Sequence, residues 1–253
     1  TESIYHLKNL KIITILFFVE RKRKKRKMDN IKYAKDVLDP ARFRDLKDFC
    51  TKHVKEIPTY NFCRKEQESS NYLEETIRHL IGRDHHVEYW VRDTLDHTLM
   101  HVDGNELQHK IDFVRYKGEN NPDQKTEFPL NTHVLYVNID PKMDGGKLFL
   151  LPNNKYVSGR PIIDTDYEPL EGSQLIEIQP KENHMVLWAD QIYHATGRVL
   201  NRDVVKHRIS FMFSSWGYVP EVYRDHEHWS NYRNDINQPG GLEEPRPMEF
   251  DLK

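Results

Sequence analysis

Val87-Glu88-Tyr89-Trp90-Val91 is the stretch at which the chain changes period. Up to Gly82, apolar residues recur at helical spacing. From Val87 onward they come in short runs divided by Gly, Pro, Asn and Asp. Runs rich in β-branched and aromatic residues between turn formers read as strands. The pattern returns at Thr98-Leu99-Met100-His101-Val102, His133-Val134-Leu135-Tyr136-Val137 and Lys147-Leu148-Phe149-Leu150. It returns again at Gln174-Leu175-Ile176-Glu177-Ile178, His184-Met185-Val186-Leu187-Trp188 and Arg208-Ile209-Ser210-Phe211-Met212-Phe213.

Working outward, Asp39-Pro40 opens a helical pattern carried by Phe43, Leu46, Phe49 and Val54, with Pro40 in the first turn. Ser70-Asn71 precede Tyr72, Leu73, Ile77, Leu80 and Ile81, and Glu74 is placed to close a capping box. Gly82 suits the stop of that helix. Helices over 39–82 followed by strands over 86–216 predict an α+β, mainly β, chain. Its strands make an antiparallel sandwich or barrel that closes as a jelly roll, a double-stranded β-helix, with the helices packed on one sheet. Loops are expected over Lys117–Asn131 and Pro152–Gly172, and a polar tail over 217–253. Residues 28–253 are read as one domain.

Composition agrees. The chain has 253 residues, 37% hydrophobic and 31% charged, which suits one sizeable soluble core. A formal net charge of −2 supplies no basic footprint for nucleic acid. The two cysteines, Cys50 and Cys63, make no disulfide framework and no metal spacing, so a reducing, cytoplasmic compartment is expected. At the N-terminus the apolar run Ile12–Val19 is too short to span a bilayer. The basic run Arg21–Lys27 follows it, the reverse of a secretory signal. Residues 1–27 are therefore read as a dispensable extension.

Chemistry gathers on His101-Val102-Asp103 and the distant His194. Residues i and i+2 of an extended segment share a face, so His101 and Asp103 can reach one ion. Two imidazoles and a carboxylate on one face of a metal, with the other positions open, are the ligand set of a non-haem Fe(II) site. Arg208-Ile209-Ser210 follows, and its guanidinium is a fixed cation for clamping a dicarboxylate. Competing pairs are weaker. His86-Val87-Glu88 sits inside a regular strand and reads as sheet surface or core. His226-Glu227-His228 lies in the tail. His133 and His207 read as core or solvent residues.

With Tyr136-Val137-Asn138, Asp144-Gly145-Gly146-Lys147-Leu148, Pro180 and His194 to Val199 added, the stretch from His101 to Trp216 resembles the 2-oxoglutarate and Fe(II)-dependent oxygenases, in their prolyl-4-hydroxylase-like branch. The resemblance implies that His101, Asp103 and His194 bind iron. Arg208 would pair with the distal carboxylate of 2-oxoglutarate, Tyr136 would donate to it, and Ser210 fits an Arg-x-Ser form. The prolyl hydroxylase pattern has a threonine where this chain has Met212. O₂ is the other cosubstrate, succinate and CO₂ are released, and ascorbate is expected to sustain activity. The implied product is a hydroxylated peptidyl proline or small metabolite, and the carboxylate of Asp103 favours hydroxylation over halogenation. Two other readings compete. A non-catalytic jelly-roll module would bind a ligand or metal without turnover. A cupin-type Zn or Mn enzyme would carry a His-x-His, which the strands lack.

The reading of the N-terminus can be tested directly. A chain beginning at Met28 is expected to melt within a few degrees of the full chain. A fall of about 5 °C or more, on the order of 1 kcal/mol, would place Ile12–Val19 in the fold.

Overall fold

The computed structural model describes residues 30–58, 60–98, 100–104, 127–155, 175–189, 191–220 and 223. The N-terminal extension, most of the two predicted loops and the tail with His226-Glu227-His228 lie outside the described residues. The elements are β1 (Ile31–Ala34), α1 (Pro40–His53), β2 (Asn61–Cys63), α2 (Tyr72–Ile81) and β3 (His86–Asp93). They continue with β4 (Asn131–Ile139), β5 (Leu148–Lys155), β6 (Ile176–Ile178), β7 (Met185–Ala189), β8 (Ile192–Thr196) and β9 (Arg208–Trp216). The described chain is thus mainly β with two helices near its start.

Both helices begin where side chains can satisfy free backbone donors. The carboxylate of Asp39 accepts from the Ala41 and Arg42 amides, and Pro40 occupies the first turn. Asn71 accepts from the Glu74 amide at 3.0 Å. The box closes on the residue before the cap: Glu74 accepts from the Ser70 amide at 2.7 Å. Gly82 ends α2 at φ 78°, a conformation natural only to glycine.

The strands pair antiparallel in two sheets, β1-β7-β4-β9-β3-β2 and β6-β5-β8. Alternation along the central strands, shifted once in β4 between Tyr136 and Asn138, sorts their side chains into two layers. Leu135 and Val137 of β4, with Ile209, Phe211 and Phe213 of β9, pack with Leu46, Cys50, Leu73 and Ile77 of the helices. Val134 and Tyr136 point the other way and pack with Leu148 and Leu150 of β5 and Trp188 of β7. The larger sheet is therefore a shared wall between a helical layer and the smaller sheet. Both cysteines are buried free thiols, pushed up by burial to about 12 for Cys50 and about 11 for Cys63. No helix among the described residues is long and apolar enough to cross a membrane.

Several boundaries differ from the sequence reading. The loop expected from Pro152 starts later, because β5 runs to Lys155 with a register shift between Leu151 and Lys155. An irregularity is where a strand tolerates a proline, which cannot donate to the ladder. Among the described residues of 98–102 no regular strand forms. The segment instead lies along β8 through paired His101–His194 bonds of 2.9 and 2.8 Å and the Thr98–Thr196 bond of 2.9 Å. The short β1, β2 and β8 were not anticipated. Three to five residues with polar positions give too few periods to stand out.

Gly145 and Gly146 do more than turn the chain. Both have positive φ, and Gly145 bridges to Val199. A Cβ at Gly145 would come within 2.4 Å of the Arg198 carbonyl. Gly145→Ala is expected to lose roughly 1–2 kcal/mol from the left-handed backbone alone, and more from that collision. Equilibrium urea unfolding measures the loss. A change under about 0.5 kcal/mol, the ordinary scale of surface substitutions, would mean that the 198–200 segment gives way.

Candidate metal centre

β8 carries His194 inward, and its bridge to the 98–101 segment brings His101 alongside. The two imidazole rings lie 4.2 Å apart. Asp103 reaches back to both: its Oδ1 is 3.4 Å from His194 Nε2 and 3.7 Å from His101 Nε2. One donor atom from each of the three lies within 4.8 Å of the others. The ring of His194 rests against Trp188 at 4.7 Å, which fixes its plane.

The protonation pattern follows from hydrogen bonding. His194 Nδ1 stands 3.1 Å from the Ile192 carbonyl, an acceptor only, so Nδ1 carries the proton and donates. In the neutral ring Nε2 then presents a lone pair toward the Asp103 carboxylate. In the imidazolium form Nε2 instead carries a proton toward Asp103 at 3.4 Å, and a bound metal ion would take the place of that proton. Burial pushes the Asp103 carboxyl up, but the adjacent His194 and His101 outweigh it and hold it below the usual carboxylate range. Its Oδ2 is buried with no hydrogen-bond partner among the described residues. An orphaned carboxylate oxygen beside two imidazoles fits a divalent cation.

Arg208 opens β9 and is 4% exposed, so it is no surface ion pair. Its Nη1 donates to the Gly197 carbonyl at 3.1 Å and its Nη2 to the Asp96 carbonyl at 2.8 Å. Both are neutral acceptors. The nearest carboxylates serve other groups. Asp93 binds the Arg208 amide and His207, and Asp96 pairs with Arg202. Burial draws the guanidinium below its ordinary value. A buried cation whose partners are backbone carbonyls is set to receive an anion from outside.

Tyr136 and Ser210 are cross-strand partners on β4 and β9, and with Arg208 they line one cavity. Burial raises the Tyr136 phenol, which keeps it a neutral donor. The same cavity takes in His101, Asp103 and His194. All six residues singled out from the sequence thus border one space.

The competing histidines lie elsewhere. His86 is buried in β3, accepts from the Lys65 amide at 3.3 Å and stacks on Phe62. His133 donates to the Phe213 carbonyl in the interior, where burial lowers it to about 4. His207 pairs with Asp93 at 2.8 Å. Glu88, Trp90 and Tyr60 also line the cavity; the sequence assigns Glu88 and its strand to sheet surface or core and gives no signal at Tyr60. Alternation of Glu88 and Trp90 against Val87, Tyr89 and Val91 was the available signal.

No protein-family model matches the chain. No curated protein matches it either. Solved structures similar to it include a Pseudomonas putida prolyl-4-hydroxylase, with 12% identity and a TM-score of 0.44 over 75% of this chain and 94% of that one. HygX from Streptomyces hygroscopicus, with nickel and 2-oxoglutarate bound, has 11% identity and a TM-score of 0.43 over 74% and 82%. The epimerase SnoN, in complex with Fe3+, alpha ketoglutarate and nogalamycin RO, has 12% identity and a TM-score of 0.47 over 88% and 92%. They are of the family that the motifs resemble.

The cluster makes a direct prediction. Mn(II) or Fe(II) should raise the melting temperature of the native chain. That rise should vanish in His101→Ala, Asp103→Ala and His194→Ala, because three ligands leave no spare. It should survive in His86→Ala. Loss of the rise in His86→Ala with its retention in His101→Ala would reassign the ligands.

Proposed function

We propose that the chain is an Fe(II)- and 2-oxoglutarate-dependent dioxygenase that hydroxylates a peptide or small molecule. The observation that carries the reading is the pairing, in one cavity, of a metal-type triad with a buried guanidinium bound to neutral carbonyls. His101, Asp103 and His194 would hold the iron, and their donor chemistry fits it. When bound, iron supplies the oxidation of substrate by O₂, coupled to conversion of 2-oxoglutarate to succinate and CO₂.

The remaining roles belong to the protein. Arg208 binds the distal carboxylate of 2-oxoglutarate through a charge-assisted contact. Tyr136 donates its phenolic proton to the same group, and Ser210 satisfies a further lone pair. The Ile192 carbonyl keeps the proton of His194 on Nδ1, and so holds Nε2 ready as a ligand atom. Trp188 excludes water on one side of His194. Asp103, as a carboxylate, completes the triad, which favours hydroxylation. Ascorbate would maintain the ferrous state. In this reading the two sheets are the walls of a double-stranded β-helix. Residues 28–253 form its single domain, and residues 1–27 an extension.

Arg208→Ala should leave a buried carboxylate without its cation, which costs about 3–5 kcal/mol. That is roughly a hundredfold or more in affinity. The KM for 2-oxoglutarate, read from iron-dependent succinate release, should rise accordingly. Arg208→Lys should recover only part, since a point charge does not reproduce the fork. An unchanged KM in Arg208→Ala would move the anchor elsewhere. An absence of iron-dependent succinate release from the native chain, with peptide and metabolite pools present, would end the dioxygenase reading.

A further inference from the structure

We propose that Asn183 is a positioning residue for the cosubstrate, acting through Tyr136, whose backbone it grips where β4 leaves its regular ladder. This rests on the dioxygenase reading, in which Tyr136 donates to 2-oxoglutarate, and adds to that site a residue that does not line the cavity.

Both ladders of β4 change at Tyr136. Toward β7 the regular pairing ends at Leu135 and Met185. Toward β9 it holds as far as Tyr136 and Ser210 and then shifts, so that Asn138 lies opposite Ile209. On the β7 side two residues oppose one. The Asn183 amide donates to the Tyr136 carbonyl at 2.9 Å, and the Tyr136 amide donates to the His184 carbonyl at 3.1 Å. That is a β-bulge, which bends the strand and re-aims a side chain. The side chain at this point is the Tyr136 phenol, which borders the cavity. Burial raises that phenol and the Arg208 guanidinium opposes the rise, which makes the two neighbours.

The first residue of the bulge takes the left-handed backbone, with φ 58° at Asn183. Glycine adopts that conformation most easily, and asparagine is among the few other residues that tolerate it. Here the side chain gives asparagine a use that glycine would lack. Its Oδ1 accepts from the Leu38 amide at 3.0 Å, and its Nδ2 donates to the Leu38 carbonyl at 2.8 Å. The Asn183 carbonyl accepts from the Val37 amide at 3.1 Å. Val37 and Leu38 are themselves buried in the helical core beside Leu135 and Val137. Asn183, 9% exposed, therefore ties Tyr136 to a fixed point of the core just ahead of α1. His184, the second residue of the bulge, is held by the Tyr33 hydroxyl of β1.

The test is a double-mutant cycle on 2-oxoglutarate affinity, measured by calorimetry on the Mn(II)-loaded chain. Asn183→Gly keeps the left-handed backbone and removes only the clamp on Leu38. It should weaken 2-oxoglutarate by roughly fivefold, within the range over which contacting residues couple. Tyr136→Phe should weaken it by about tenfold, the scale of one hydrogen bond to a charged group. Added to Tyr136→Phe, Asn183→Gly should change the affinity by less than about twofold, because the group it positions is gone. Mn(II) affinity should stay the same throughout. Asn183→Asp, which keeps an acceptor for Leu38, should fall between native and Asn183→Gly, and it carries the cycle if the glycine variant is unstable. Native affinity in Asn183→Gly, or an equal loss with and without the Tyr136 hydroxyl, overturns the proposal. Failure of the native chain to bind 2-oxoglutarate strikes the dioxygenase reading instead. Hydrogen exchange, which needs no cosubstrate, then decides whether Asn183 holds Tyr136. Asn183→Gly should speed exchange at the Tyr136 amide severalfold, and leave the His194 amide, held by the His101 carbonyl at 2.8 Å, unchanged. Equal rates at Tyr136 in native and variant would show that it does not.

Discussion

The two-residue period of β4 and β9 is the constraint on which the rest of the structure depends. On β9, Ile209, Phe211 and Phe213 enter the helical core, and Arg208, Ser210 and Ser214 border the cavity. On β4, Leu135 and Val137 take the first side, and Thr132, Val134 and Tyr136 the second. Core and site are two faces of the same strands. A slip of one residue would send the guanidinium into the helices and the phenylalanines into the cavity. Selection for a packed core therefore also holds the site in register.

This arrangement explains how polar groups are tolerated inside. Removing an ion from water costs several kcal/mol after relaxation. Burying a large apolar side chain contributes about 1.5–3 kcal/mol. Three such residues on β9 alone are fully buried on the helical face. They offset a charge such as Arg208 on the opposite face, whose hydrogen bonds to Gly197 and Asp96 recover a further part. The helices matter to the site for this reason, although neither touches it. Their caps at Asp39 and Asn71 set them against the sheet without leaving buried donors open.

Legibility in the sequence followed the strength of local signals. The helices were readable because each combined an apolar period with a cap: Asp39-Pro40 for the first, and Asn71 with Glu74 and Gly82 for the second. The strands β3, β4, β5, β7 and β9 stood out by their apolar content. β8 did not, since its Ile192-Tyr193-His194-Ala195-Thr196 mixes polar and apolar residues, and its identity depends on pairing with β5. The irregular partner of β8 at His101 was read as a full strand for the opposite reason: its composition is strand-like, but its pairing is a single bridge. The convergence of His101, Asp103, His194, Arg208, Tyr136 and Ser210 was legible from chemistry and order along the chain. Glu88 was not, because a carboxylate on a regular strand looks like sheet surface until the other wall of the cavity is known.

The cavity has a polarity that the metal triad alone would not supply. At one end a buried guanidinium rests on neutral carbonyls; at the other a buried carboxylate is held by a stacked tyrosine. Between them Trp90, Met212 and Val134 form an apolar row across β3, β9 and β4. That apolar strip keeps the two polar ends of the cavity apart. The fixed donors of a metal site decide what reaction is possible. The guanidinium of Arg208 at one end of β9 and the apolar strip beside it make the two ends of the cavity chemically different.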